Sequence, residues 1–223
     1  MTGDKVYFEI LDSERINLLE TICNNIDLSQ FYLAGGTSLS LQMKLRKSFD
    51  FDFFTQDSFN ENVLFHSIDE LFPNEIQVIN LNKGTCNLII KGIQISFFEY
   101  PYALIKQTIP AVPITELKLA SIEDIAAMKM SAIGGRGARK DFFDLFFILK
   151  NTQITPEMLV QYIQMKYGEN YNFSYMLMGL DYFEDADNEI LPEQFVDFDW
   201  NQAKKFFVQI KKEMINYSFS KFS

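Results

Sequence analysis

The run Phe49-Asp50-Phe51-Asp52-Phe53-Phe54 constrains this chain more than any other stretch. Its period-two alternation reads as a strand, with Asp50 and Asp52 on one face and Phe51 and Phe53 on the other. Two carboxylates projecting in parallel can both reach a hard cation such as Mg2+, whose remaining ligands would be water and nucleotide phosphates. Upstream, Phe31 to Ala34 is a short apolar strand that breaks at Gly35-Gly36 into a helix from about Thr37 to Leu45. Such a helix start aims unpaired backbone N–H groups and the positive end of the dipole at one point, and glycine lets a ligand approach the backbone. Taken singly, the glycines also fit a plain turn and the acids a solvated strand face. Their order favours a site, because glycine turn, short helix and Asp pair fall within 18 residues.

Around this unit the pattern predicts an α+β fold. Ser13 to Asn25 has helical spacing, and Val63 to Phe72 outlines another helix that Pro73 stops. Three strands follow, Ile76 to Asn80, Thr85 to Ile90 and Ile93 to Tyr100, and their short "LNKG" and "KG" turns predict an antiparallel meander. After Pro110 and Pro113 the texture becomes helical, which sets a domain boundary near 112: an α/β domain over 1–112 and a helical domain over 113–223. Ser121 with Asp124 resembles a capping box, Gly134-Gly135 interrupts the helix it opens, and Thr155-Pro156 opens a further one. A last helix covers about Trp200 to Tyr217.

Charge and composition limit the function classes. A net charge of −10 argues against non-specific nucleic-acid binding, which needs a basic surface. Eight acids and no base lie between Asp181 and Asp199, while Lys44, Arg46 and Lys47 gather just before the Asp pair. Cys23 and Cys86 lie in no metal-binding spacing and read as core residues. Met1 to Lys5 shows no basic leader and no stretch is apolar enough to span a membrane, so the expected location is cytoplasmic. A second basic group, Lys129, Arg136, Arg139 and Lys140, surrounds Gly134-Gly135; Lys129 or Lys140 could meet a triphosphate, with Asp141 or Asp144 holding a cation in place.

Two blocks then meet a known pattern. "FYLAGGTSLSLQMKLRKSFDFDFFT" and "AAMKMSAIGGRGARKDFFDLFFIL" resemble, in order and separation, the signature blocks of the AbiEii/AbiGii toxin family of nucleotidyltransferases. The resemblance implies the polymerase-β-like fold, a small mixed sheet flanked by helices and followed by a helical C-terminal region. It implies a cytoplasmic toxin of an abortive-infection, toxin–antitoxin system, with a cognate antitoxin as partner. Carried over by residue, Gly35, Gly36 and Thr37 would contact phosphate, Asp50 and Asp52 would hold Mg2+, and Lys129, Lys140 and Asp141 would serve from the second block. The resemblance implies an NTP as substrate, GTP and CTP among the candidates, and an RNA such as tRNA as acceptor. Enzymes of this fold usually add a third carboxylate, and the aligned position holds Ser96. Glu99, three residues on and on the opposite face of a regular strand, is the substitute candidate if a bulge turns it round. Without such an acid, the chain could be a catalytically impaired nucleotide-binding or partner-binding module of the same fold.

Overall fold

A computed structural model describes residues 5–168 and 172–221. The leader reading of Met1 to Asp4 lies outside the described residues. The chain forms two compact units. The first holds residues up to Tyr102 together with Gln107–Ala120, and the second holds Ala103–Lys106 and everything from Ser121 onward.

The first unit is built on a seven-stranded mixed sheet. In chain order its elements are α1 (Ser13–Asn25), β1 (Tyr32–Ala34), α2 (Gly35–Met43), β2 (Phe51–Thr55), α3 (Glu61–Leu71), β3 (Ile76–Asn82), β4 (Thr85–Ile90), β5 (Ile93–Glu99), β6 (Ile109–Ala111) and β7 (Ile114–Leu119). The strand order is β3-β4-β5-β2-β1-β7-β6. β3, β4 and β5 form the expected antiparallel meander. β2 lies parallel to β5 and antiparallel to β1, and β1 lies parallel to β7. Period two explains the placement of β2: Phe51 and Phe53 are buried on one face of the sheet, where Phe53 stacks on Phe97 of β5 at 5.1 Å. That face also buries Leu33, Leu88, Ile95 and Leu119, with Leu19 and Ile22 of α1 and Ile68 of α3 in the same core. Each such side chain contributes about 1.5–3 kcal/mol by leaving water.

Several boundaries differ from the sequence reading. The Pro110–Pro113 stretch lies within the β6–β7 hairpin, with Pro110 in β6 and Val112-Pro113 in the turn. Since β7 pairs with β1, the chain belongs to the sheet as far as Ala120. Short strands around prolines carry little alternation, so the hairpin was illegible by pattern. α2 begins at Gly35, two residues before the expected start.

The second unit is helical: α4 (Ile122–Gly135), α5 (Arg139–Asn151), α6 (Pro156–Tyr167), α7 (Phe173–Gly179), α8 (Glu184–Asp187) and α9 (Trp200–Lys221). Ser121 and Thr155 cap α4 and α6 as their sequence predicts. Gly134-Gly135 does not interrupt α4; the helix passes through both and breaks at Arg136, before Gly137 with φ +59°. A Cβ on Gly179 would lie 2.9 Å from the Gly134 Cα, so small residues at both positions let α4 and α7 approach closely. Phenylalanines fill the core, with Phe142 packed edge-on against Phe207 at 5.2 Å and against Trp200 at 5.5 Å.

One buried polar network ties this unit together. The Asp124 carboxylate accepts from the backbone N–H groups of Ile105 and Lys106, from the Ser121 hydroxyl at 2.7 Å and from Lys166 Nζ at 2.8 Å. Lys166 also donates to the Ala103 carbonyl at 3.2 Å. A carboxylate and an ammonium out of water are tolerable only with this many partners. Lys166→Met removes the cation and leaves a buried carboxylate, at a cost of about 3 kcal/mol. Urea denaturation of both proteins checks this, and a change of less than about 0.5 kcal/mol would contradict the account.

Candidate active site

The turn from β1 into α2 is formed by Gly35, whose φ of +69° is open to glycine and strained for other residues. Ala34 pairs with Asp52 across the β1–β2 ladder, so the helix begins beside that acid. A Cβ on Gly35 would stand 3.3 Å from Asp52 Oδ2. Absence of a side chain therefore keeps open the space between the helix start and the carboxylate. Ala34 offers no side-chain cap, and the first-turn N–H groups of α2 are of the kind an anion satisfies.

Gly36 has a separate reason. A Cβ there would come within 2.5 Å of Arg46 Nη2 and 3.0 Å of Ser48 Oγ. Arg46 is only 2% exposed and donates from Nη1 to the Lys47 carbonyl at 3.0 Å. Its guanidinium is thus packed over the second glycine, a contact that the Lys44-Arg46-Lys47 cluster hinted at without singling out the residue. Thr37 is buried, and its hydroxyl is used internally: it donates to the Asp50 carbonyl and lies 2.9 Å from Ser48 Oγ. The Thr37 side chain thereby pins the Ser48–Asp50 segment onto α2, which leaves its backbone N–H as the group available to a phosphate. Asp50 is exposed and precedes β2, whose first residue is Phe51, whereas Asp52 is half-buried within the strand. The two acids accordingly stand on either side of the strand's beginning and do not share a regular ladder.

Glu99 does not join them. Asp52 is in register with Ser96, and Glu99 is in register with Thr55, about 10 Å further along the strand. Its backbone N–H donates to the Gly84 carbonyl at 2.8 Å, and its side chain lies against the glycine of the β3–β4 turn. No bulge turns it round, since β2 and β5 keep register from Phe51 to Thr55. Ser96 is itself fully buried.

The second block, described on its own, gathers Lys129, Arg136, Asp141 and Asp144. Lys129 Nζ lies 2.9 Å from Asp141 Oδ1 and 2.6 Å from Asp144 Oδ2, all three side chains being buried. Asp141 also receives a two-pronged bond from Arg136, Nε to Oδ2 at 2.7 Å and Nη2 to Oδ1 at 2.9 Å. Burial opposes the charge on Asp141, but Lys129 and Arg136 outweigh it and hold the carboxyl down to about 2. Lys129 is thereby enclosed by carboxylates, and the cation of this cluster that reaches solvent is Arg136, with a side chain 59% exposed. Lys140 is exposed on the first turn of α5.

Among the described residues no group of three or more His, Cys, Asp or Glu gathers as a metal cage. Mg2+ is commonly held by one or two carboxylates with phosphate and water, and Asp50 with Asp52, beside the space at Gly35, are the donors that would suit it. No helix among the described residues is long and apolar enough to cross a membrane.

Solved structures share this fold. An H. pylori protein assigned as a nucleotidyltransferase aligns with TM-score 0.52 and 19% identity over 92% of this chain and 98% of its own. MenT4, a nucleotidyltransferase toxin of Mycobacterium tuberculosis, aligns with TM-score 0.54 and 15% identity over 90% of this chain and 83% of its own. The mixed sheet flanked by helices is the fold that this chain shares with them. The family described as nucleotidyl transferase AbiEii toxin, type IV toxin–antitoxin system, matches residues 17–213, and the chain belongs to it. It is a nucleotidyltransferase of a toxin family. An uncharacterized Aquifex aeolicus protein is 33% identical over 207 residues, 92% of this chain and 98% of that protein.

Two outcomes follow from this geometry. Thr37→Val removes the hydroxyl but keeps the volume, so it costs about 1 kcal/mol of stability while loosening Asp50; nucleotidyl transfer falls at least tenfold in a steady-state assay. Asp141 has a depressed folded pKa, so its contribution is complete above its unfolded value of 3.8 and is lost as pH falls towards about 2. It amounts to about 2 kcal/mol. Thermal unfolding between pH 5 and 2 should show a steep fall for the native chain and a shallower one, from a lower starting point, for Asp141→Asn.

Proposed function

We propose that the chain transfers a nucleoside monophosphate from an NTP, GTP or CTP foremost, to a hydroxyl of an RNA acceptor, tRNA in the first place. The observation that carries this reading is the uncapped start of α2 abutting the Asp52 carboxylate with only Gly35 between them. An anion is favoured at the helix start by backbone donors and dipole, and repelled by Asp52 unless a cation intervenes. A nucleotide carrying Mg2+ answers both demands. When bound at Asp50 and Asp52, Mg2+ would supply neutralisation of phosphate charge and acidify the attacking hydroxyl.

The protein's own part is positioning. Backbone N–H groups at Gly35 and Gly36 hold the β- and γ-phosphates, Arg46 stiffens the turn by packing on Gly36, and Thr37 fixes the segment bearing Asp50. The acceptor oxygen attacks the α-phosphorus, the bond from that phosphorus to the bridging oxygen of the β-phosphate breaks, and pyrophosphate leaves towards α2. With Ser96 buried and Glu99 remote, the hydroxyl proton passes to water. In the second block, Lys129 and Asp141 serve by holding Arg136 as a fork suited to a phosphate, and Lys140 adds positive charge at the surface. A cognate antitoxin is the partner that membership of a type IV system implies.

The test is incubation with total RNA and each α-labelled NTP. Label is expected in tRNA-sized RNA, and Asp50→Ala or Asp52→Ala should reduce it at least 100-fold and relieve growth arrest on expression. Binding of NTP without label transfer under any divalent metal would instead support the catalytically impaired module, the reading that the buried Ser96 favours.

A further inference from the structure

Transfer at phosphorus is in line: the attacking oxygen enters opposite the leaving pyrophosphate. On the proposed function, which this inference rests on, pyrophosphate departs towards α2, on the β1 side of Asp52. Attack must then come from the other side of that residue, across β5, β4 and β3. Strand register identifies what lies there. Asp52 is level with Ser96, Ser96 with Asn87, and Asn87 with Asn80, so one row crosses four strands on the face opposite the hydrophobic core. The flanking row on one side is aromatic, Tyr32, Phe54 and Phe98, and on the other it is Gln94, Ile89 and Gln77.

This track carries no charged side chain beyond Asp52. Its polar members are neutral, and one contact orders them: Ser96, fully buried, donates its hydroxyl to Asn87 Oδ1 at 3.2 Å. That bond turns the amide so that its two N–H donors form the other arm. Asn87 is half-buried, and Asn80 beyond it is exposed. We propose that Asn87 is the acceptor-side contact of the transfer site, donating to the ribose or base of the acceptor's terminal nucleotide, and that Ser96 is the positioning residue that sets its amide. A chain of net charge −10 gains little by gripping acceptor phosphates here, whereas neutral amides can hold a terminal nucleoside without a basic surface.

The test pairs a short oligoribonucleotide ending in a 3′-hydroxyl with calorimetry of NTP and Mg2+ binding to the whole chain. Asn87→Ala is expected to weaken oligoribonucleotide binding and raise its KM about tenfold with unchanged NTP affinity, and Ser96→Ala to raise that KM about threefold. Asn87→Ser, which keeps a donor, should recover part of the loss. Because no phosphate contact is removed, the slope of log affinity against log salt should match that of the native chain. Unchanged acceptor KM in a folded Asn87→Ala protein, a parallel loss of NTP affinity, or a shallower salt slope would each overturn the assignment. If the native chain binds NTP but labels no RNA, the RNA-acceptor reading itself fails; if it labels RNA and Asn87→Ala labels it equally well, only this inference does.

Discussion

The register between β1 and β2 is the constraint on which the rest depends. Ala34 sits opposite Asp52 because Phe51 and Phe53 must enter the core, and a slip by one residue would bury the acid and expose the phenylalanines. The packing of Phe53 on Phe97 fixes β5 at the same level and so brings Ser96 beside Asp52. Phenylalanine burial on one face thus sets the position of every polar group on the other. The helix that starts at Gly35 inherits that precision, since its first residue directly follows Ala34, the last paired residue of β1.

Buried positive charge is used in three different ways. Lys166 satisfies Asp124, which itself holds the backbone of Ile105 and Lys106, and the outcome is mechanical. Lys129 lies between Asp141 and Asp144 and joins α4 to α5, while leaving Asp141 oxygens in reach of the exposed Arg136. Arg46 covers a glycine beside the candidate phosphate cradle. Only in the last two does a buried cation adjoin groups suited to an anion, and in the second it is the exposed arginine that can meet one. A lysine enclosed by two carboxylates has little net charge to offer a phosphate.

These distinctions mark what could be read in the sequence. Period two in β2, the caps at Ser121 and Thr155, the meander turns and the glycine break after Ala34 are local signals, and the structure follows them. The β6–β7 hairpin is illegible by pattern because β6 is three residues with a proline at its centre and the burial along β7 does not alternate. The inward engagement of the Thr37 hydroxyl is illegible for another reason. Whether a cation or hydroxyl faces a ligand or the protein depends on what folds over it, and residues eleven to thirteen positions apart decide that here. Lys129, Arg136, Arg139 and Lys140 read as one basic group, but pairing sets a buried Lys129 and an exposed Arg136 on the same Asp141 carboxylate, turns Arg139 to the Asp187 carbonyl and leaves Lys140 exposed.

The absence of a third strand acid at position 96 alters the electrostatics of the site and not merely its inventory. A carboxylate beside Asp52 would raise the local negative charge and demand a cation before any phosphate could approach. Ser96 and Asn87 lower that demand, since neither carries charge and the Ser96 hydroxyl is taken up by the Asn87 oxygen. On the proposed function, a site built this way would take nucleotide and metal together at Asp50 and Asp52 and would hold the acceptor by directional hydrogen bonds. Directional bonds discriminate among hydroxyl-bearing ends more sharply than a diffuse positive field does, because a misplaced acceptor leaves the amide donors unpaired. In a chain with ten more acids than bases, selectivity of that kind would need no basic surface around the acceptor.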